Sequence, residues 1–250
     1  MHRDELTEYL NRYLKIDEFN DDCPNGLQVQ GKSTVKKIIT SVSASVELFN
    51  TAVEKKADAV IVHHGIIWYF ERPVYKGGYR ERIKILLENN INLYAYHLPL
   101  DAHEEVGNNA RICQLLGVQN LKPLGDYKGQ SVGLHGTLKK TDKNTLFSKI
   151  AQIVNREPLI FEYGPDMIES VGVISGGAQK ELKEAVMQGL DIFITGEVSE
   201  HNMHYAKEEN IHFVSAGHYA TEKFGILALG QKLQEKYNLS VSFEDIPNPV

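Results

Sequence analysis

The segment Ala57-Asp58-Ala59-Val60-Ile61-Val62-His63-His64-Gly65 decides the fold. Residues 59–62 form an unbroken apolar run, the composition of a strand buried on both faces, not one with a solvated side. Upstream, 36–42 reads as a second strand and 46–56 as a helix, so the segment completes a β-α-β unit. Downstream, a helix over 79–89 leads into a strand over 92–96. A further helix over 108–116 stops at Gly117, a natural glycine terminator. At the N-terminus Leu6, Tyr9, Leu10, Tyr13 and Leu14 recur at helical spacing over 2–14, with Asp4 and Glu5 in the first turn. A polar turn over 20–26 and a short strand over 27–29 follow.

The second half repeats this pattern. A strand over 131–138, a helix over 144–154 and an apolar stretch over 159–161 form an added unit. Then come a strand over 170–174, a helix over 179–188, a strand over 192–195, a helix around Met203 and Tyr205, and a strand over 212–215. A long helix over 222–234 and a last strand over 241–246 complete the chain. Asp58 in the first half matches Asp191 in the second, 133 positions on, and His63-His64 then matches Gly196-Glu197. Asn90-Ile91, His97 and Asp101 are echoed by Asn210-Ile211, His218 and Glu222. The expectation is an α/β protein of two similar lobes related by this internal repeat and a pseudo-twofold axis, with sheets flanked by helices. The lobes are placed at 1–125 and 126–250, with the C-terminal segment packing back on the first.

Composition removes several classes of function. The 250 residues are 42% hydrophobic and 24% charged, ordinary globular values that leave no room for long disorder. A net charge of −6 argues against duplex nucleic acid as a partner, because phosphate binding needs a basic surface. Two distant cysteines, Cys23 and Cys113, exclude a disulfide scaffold and a cysteine-rich zinc module and fit a reducing cytoplasm. No run has the length of a membrane span, and Met1-His2-Arg3-Asp4-Glu5 lacks the apolar stretch of a signal peptide. A cytoplasmic protein with no membrane association is expected.

The ten histidines carry the chemistry. Open α/β sheets bind ligands beyond the carboxyl ends of their strands. His63 and His64 lie at such an end, where Gly65 would permit the bend that lets two adjacent imidazoles converge. Asp101, four residues after His97, follows the strand over 92–96. His218 and Glu222 follow the strand over 212–215 at a spacing that shares a helical face. Three imidazoles and two carboxylates suit two divalent ions sharing a bridge. The plain alternatives are packing histidines, a turn aspartate, and a helix start capped by Thr221 with Glu222 favoured by the dipole. Glu197 either contacts the same cleft or is a solvated acid. Ser175-Gly176-Gly177 reads as a tight turn, and Trp68-Tyr69-Phe70 as packing or as a cover for the cleft.

These motifs resemble a known family, the dinuclear-metal-centre proteins often named GTP cyclohydrolase 1 type 2 homologs, or Nif-three-like proteins. The matching stretches are Pro24-Asn-Gly-Leu-Gln-Val29, Ala57 to Gly65, His97-Leu-Pro-Leu-Asp-Ala-His103, Gly107-Asn-Asn109, Ile194-Thr-Gly-Glu-Val-Ser-Glu200, Gly217-His-Tyr-Ala-Thr-Glu222 and Asp245-Ile-Pro-Asn-Pro249. They run in order along nearly the whole chain. Tyr219 stands where the family often has histidine. The resemblance implies metal ligands His63, His64, Asp101, His218 and Glu222, with Glu222 bridging. His63 and Asp101 would share one ion, and His64 and His218 the other. It also implies a toroidal homohexamer. The metal could be zinc, iron, manganese, cobalt or nickel, since mixed nitrogen and oxygen ligands admit all five. The expected function is a metal-dependent hydrolase acting on a nucleotide by ring opening, or on a phosphoester, with His97 as the catalytic residue, either supporting a metal ligand or transferring a proton. The rival is a ring-shaped metal-binding scaffold or regulator without turnover.

Overall fold

The computed structural model describes residues 1–250. They form two compact units, one of residues 1–100 with 225–246 and one of 101–224 with 247–250. Both are α/β, each a sheet flanked by helices. No helix is long and apolar enough to cross a membrane.

The first unit contains α1 (Arg3–Tyr13), β1 (Gly26–Val29), β2 (Lys37–Ser43), α2 (Val46–Glu54), β3 (Ala59–His64), α3 (Gly77–Glu88) and β4 (Asn92–Ala95). The chain enters the second unit within α4 (Leu98–Ala102). There follow α5 (Asn108–Leu116), β5 (Gln119–Leu124), β6 (Gly133–Asp142), α6 (Lys143–Val154), β7 (Leu159–Phe161), β8 (Met167–Val173), α7 (Leu182–Met187), β9 (Ile192–Thr195), α8 (Glu200–Glu208) and β10 (His212–Ser215). The 20-residue α9 (His218–Tyr237) returns the chain to the first unit, where β11 (Ser240–Phe243) ends it.

The first sheet has the order β1-β4-β3-β2-β11 and the second β5-β6-β8-β9-β10-β7. Strands β2, β3 and β4 run parallel, as do β8, β9 and β10. An antiparallel strand borders each set, β1 against β4 and β7 against β10. The internal repeat is therefore a repeat of topology. It extends to single hydrogen bonds. Asp58 Oδ2 accepts from the backbone N–H groups of Lys36 and Lys37, both at 3.0 Å. Asp191 Oδ2 accepts from Glu169 and Ser170, both at 2.8 Å. In each unit the aspartate before the second parallel strand ties down the strand before it.

Apolar alternation assigns the faces. In β4, Leu93 and Ala95 pack with Leu48, Phe49 and Ala52 of α2 and Leu86 of α3. Tyr94 and Tyr96 point the other way, and their hydroxyls meet Thr7 at 3.1 Å and Asn11 at 2.9 Å on α1. In β9, Ile192 and Ile194 join the cluster containing Ile112 and Cys113 of α5 and Leu146 and Ile150 of α6. Phe193 faces Leu182 and Ala185 of α7 and Ala206 of α8. The apolar face of α5 explains where 101–125 belongs. The sequence placed this stretch with the first lobe, but Ile112, Cys113 and Leu116 pack against α6 in the second unit. Strand β5 also had no signature in the sequence, because five of its six residues are exposed.

Replacing Asp58 or Asp191 with alanine should lower the stability of its own unit by about 1 kcal/mol, since each leaves two backbone N–H groups, one of them part-buried, without their acceptor. Urea denaturation of the two variants checks this, and a loss in only one of them would break the equivalence of the repeats.

Candidate metal centre

In the first unit, β3 brings His63 and His64 to the carboxyl end of the sheet. The strand does not stop before the pair, as the sequence suggested, because pairing with β2 continues to Ser43 opposite His64. Pairing with β4 ends two residues earlier, at Val62 opposite Ala95. Past that point only one neighbour constrains the strand, and the two rings approach to 4.6 Å between centroids. Gly65 has a different task from the expected bend. A Cβ there would lie 2.2 Å from Gln28 Oε1, which accepts from the Ile66 N–H at 2.8 Å.

Each imidazole is aimed through its Nδ1. His63 Nδ1 donates to the Tyr96 carbonyl at 2.9 Å in a buried contact. His64 Nδ1 meets Ser43 Oγ at 3.0 Å. His97, placed just after β4, has its Nδ1 2.8 Å from Asp21 Oδ1. An imidazole held this way has Nε2 left for a metal or a proton. His63, His64 and His97 each offer a ring nitrogen within 4.8 Å of the others. The edge of Trp68 covers His97, with centroids 5.2 Å apart, while Tyr69 and Phe70 beside it are exposed.

Asp21 was read in the sequence only as part of a polar turn. It is buried. Burial opposes its charge, but hydrogen bonds and charge from His97, with further bonds from Asn25 and the Leu98 N–H, hold its carboxyl down at about 2. A cavity of about 310 Å³ adjoins it, bordered by Phe19, Cys23, Asn25 and Tyr69. Burial and the charges of Asp21 and Asp22 push the Cys23 thiol up, and burial pushes Cys113 up to about 12. Neither is a poised nucleophile.

In the second unit, α4 presents the buried Asp101. Its Oδ1 accepts from Asn108 Nδ2 at 2.8 Å and from Ser175 Oγ at 2.9 Å, which fixes the carboxylate plane. Asn109 completes the support, its Oδ1 accepting from the Ser175 N–H at 2.7 Å. The motif over 107–109 thus serves the aspartate. Helix α9 starts at His218, so His218 and the buried Glu222 share its first turns, as their spacing implied. His218 Nε2 lies 3.1 Å from Glu222 Oε1. Its Nδ1 lies 2.6 Å from Oε1 of Glu197, the residue at the repeat position of His64. Glu197 is thereby the carboxylate that orients His218. Thr221 does not cap the helix. Its Oγ1 donates to the Gly217 carbonyl and accepts from the Gly176 N–H at 3.0 Å.

Gly176, at φ +67°, leaves room for this arrangement. A Cβ there would come within 2.2 Å of Glu222 Oε1 and 3.4 Å of His218 Nε2. The donor sets therefore suit divalent ions in three respects. The imidazoles are borderline donors pinned at the far nitrogen, the carboxylates are buried and braced, and a missing side chain keeps the space before them clear. Burial works against the charge on His218. The hydrogen bonds and charges of Glu222 and then Glu197 outweigh it and raise its pKa to about 9.

Parallel strands ending in pinned imidazoles and braced carboxylates define an α/β protein with candidate histidine–carboxylate ligand sets for metal ions. Comparison with known proteins gives the family. Residues 1–249 match the family described as Duf34/NIF3 (NGG1p interacting factor 3). A Haemophilus influenzae protein named GTP cyclohydrolase 1 type 2 homolog is 49% identical over 252 residues, which cover 100% of both chains. Among solved structures, one described as "Structural genomics, protein ybgI, unknown function" has a TM-score of 0.93 at 46% identity. TTHA1606 from Thermus thermophilus has a TM-score of 0.92 at 37% identity, and both structures cover 100% of each chain. This chain belongs to the Duf34/NIF3 family, as the resemblance in its motifs implied.

In the metal-free protein His218 should titrate near 9. Its contribution to stability should be complete below the ordinary value of 6.5 and be lost as pH rises through about 9. Replacing Glu197 with glutamine should lower the midpoint, which an NMR titration would read. An unchanged midpoint would remove Glu197 from this role.

Proposed function

We propose that this protein is a metal-dependent hydrolase that binds two divalent ions per subunit and opens the ring of a purine nucleotide. The observation that carries the reading is the common support of His63, His64 and His218, each engaged at Nδ1 by a carbonyl, a hydroxyl or a carboxylate. This is how proteins prepare imidazole for metal. The ligands in this reading are His63, His64, Asp101, His218 and Glu222, with Glu222 bridging. Bound there, two divalent ions would supply Lewis acidity and lower the pKa of water to near neutrality. The printed name of the relatives points to the nucleotide class.

The chain's own residues divide the remaining work. Ser43, Tyr96 and Glu197 hold the ligand rings in place. Ser175 and Asn108 fix the orientation of the Asp101 carboxylate. His97 accepts a proton at Nε2 as water adds to C8 of the purine, and returns it to the departing nitrogen as the ring opens. Trp68 packs against His97 in an edge-to-face contact and holds the ring from that side. Family membership further supports a closed homohexameric ring. Light scattering is expected to show it, and a stable monomer at micromolar protein would rule it out.

Zinc-, iron-, manganese-, cobalt- and nickel-loaded protein, assayed against nucleoside triphosphates and simple phosphoesters, tests the activity. Loss of purine absorbance with GTP supports ring opening. Phosphate release alone would move the activity to phosphoesters. Full metal loading with no turnover of either would leave a non-catalytic metal-binding ring. Metal analysis of variants tests the ligand set. The wild type should hold about two ions per chain. Asp101→Asn should keep about one. Glu222→Gln should keep close to none, because two cations lose the anion between them. Two ions retained by Glu222→Gln and none by Asp101→Asn would make Asp101 the bridge.

A further inference from the structure

Asp21 sits at the centre of a clamp on His97. Its side chain is only 2% exposed. Oδ1 accepts from the Asp22 N–H at 2.7 Å and faces His97 Nδ1 at 2.8 Å. Oδ2 accepts from Asn25 Nδ2 at 2.9 Å and from the Leu98 N–H at 3.0 Å. Asn25 turns its own Oδ1 to the His97 backbone N–H at 2.8 Å. The ring of His97, its backbone and the next peptide are thus gripped by two side chains 72 and 76 residues away in sequence. The nearness of Asp21 and His97 to Cys23 is accounted for by hydrogen bonding to the same carboxylate.

We infer that Asp21 is the positioning residue for His97, fixing its imidazole as the Nδ1–H tautomer so that Nε2 is the nitrogen presented among His63 and His64. The inference rests on the proposed role of His97 in moving a proton, and it adds what sets that proton's address. An ionised carboxylate only accepts hydrogen bonds, so the nitrogen facing it must carry hydrogen. The neutral ring then has its lone pair on Nε2, the nitrogen away from Asp21.

The clamp makes the consequence of Asp21→Asn unusual. The new side chain has one acceptor and one donor end. Its amide oxygen must face either the Asn25 and Leu98 donors or the Asp22 and His97 donors. The Leu98 N–H cannot become an acceptor. Asn25 cannot rotate its amide without turning a donor onto the His97 N–H. Turning the amide nitrogen toward His97 strands one fixed donor, the Asp22 N–H, whereas turning it toward Asn25 and Leu98 strands two, and the imidazole can exchange donor for acceptor while the Cys23 thiol can rotate its hydrogen away. The amide nitrogen should therefore face Nδ1, and His97 should switch to the Nε2–H tautomer. Its base nitrogen would then be occupied. An aspartate that merely filled the turn would leave the tautomer of His97 unchanged.

The test is long-range ¹⁵N–¹H correlation NMR on histidine-labelled full-length protein, metal-free and zinc-loaded. Wild type should show His97 with hydrogen on Nδ1, and an Nε2 signal that zinc does not move into the coordinated range. Asp21→Asn should reverse the two nitrogens while keeping the wild-type metal-to-protein ratio. Asn25→Ala, which keeps Asp21 facing the ring, should leave Nδ1–H in place. An Nε2–H ring in the wild type would overturn the inference even if Asp21→Asn fails to fold. So would an Nδ1–H ring that persists in Asp21→Asn, or a zinc-coordinated Nε2. The wild-type metal ratio is measured on the same samples, so a failure of the two-ion reading is seen separately from the tautomer.

Discussion

Parallel pairing is the constraint on which the rest of each unit depends. Antiparallel neighbours end at opposite edges of a sheet, whereas parallel neighbours all end at the same one. Strands β2, β3 and β4 therefore deliver Ser43, His64 and the peptide before His97 to one edge, and β8, β9 and β10 deliver Ser175, Glu197 and His218 likewise. The strand bodies are closed to polar chemistry. Residues 59–62 and 192–195 are buried, and their side chains are committed to helices on both faces. Only the ends have freedom to carry imidazole and carboxylate, and there they do so.

This explains what could be seen in the sequence. An unbroken apolar run is visible without knowledge of its neighbours, so the parallel core and the residues just beyond it were legible. The five proposed ligands stand at strand ends or at the helix turns that follow. The groups that aim them were hidden. Asp21 is 76 residues from His97, and Ser175 is 74 from Asp101. Such pairs meet only after folding. Tyr96 contributes a backbone carbonyl to His63, which side-chain identity cannot reveal. Glu197 was the exception, because its repeat position opposite His64 marked it out before its contact with His218 was known. The start of α9 was legible in the spacing of His218 and Glu222, although Gly217 stands before it where a capping side chain would normally announce a helix.

The two halves of the repeat have kept their scaffold and exchanged their chemistry. Asp58 and Asp191 make the same pair of backbone contacts. At the strand ends the copies part company. One has an imidazole at 64, braced by a serine, and the other has a carboxylate at 197 that braces an imidazole on the next element. His64 is therefore supported by a neutral hydroxyl and His218 by an anion.

The exposed strand β5 bears on behaviour in concentrated solution. It forms one border of the second sheet, and an open border invites another chain to add a strand there. Lys122 places a charge on that border, and Pro123 removes one of the N–H groups that an added strand would need. Runaway strand-by-strand accretion from this side is disfavoured. The backbone of this border is thereby left to water.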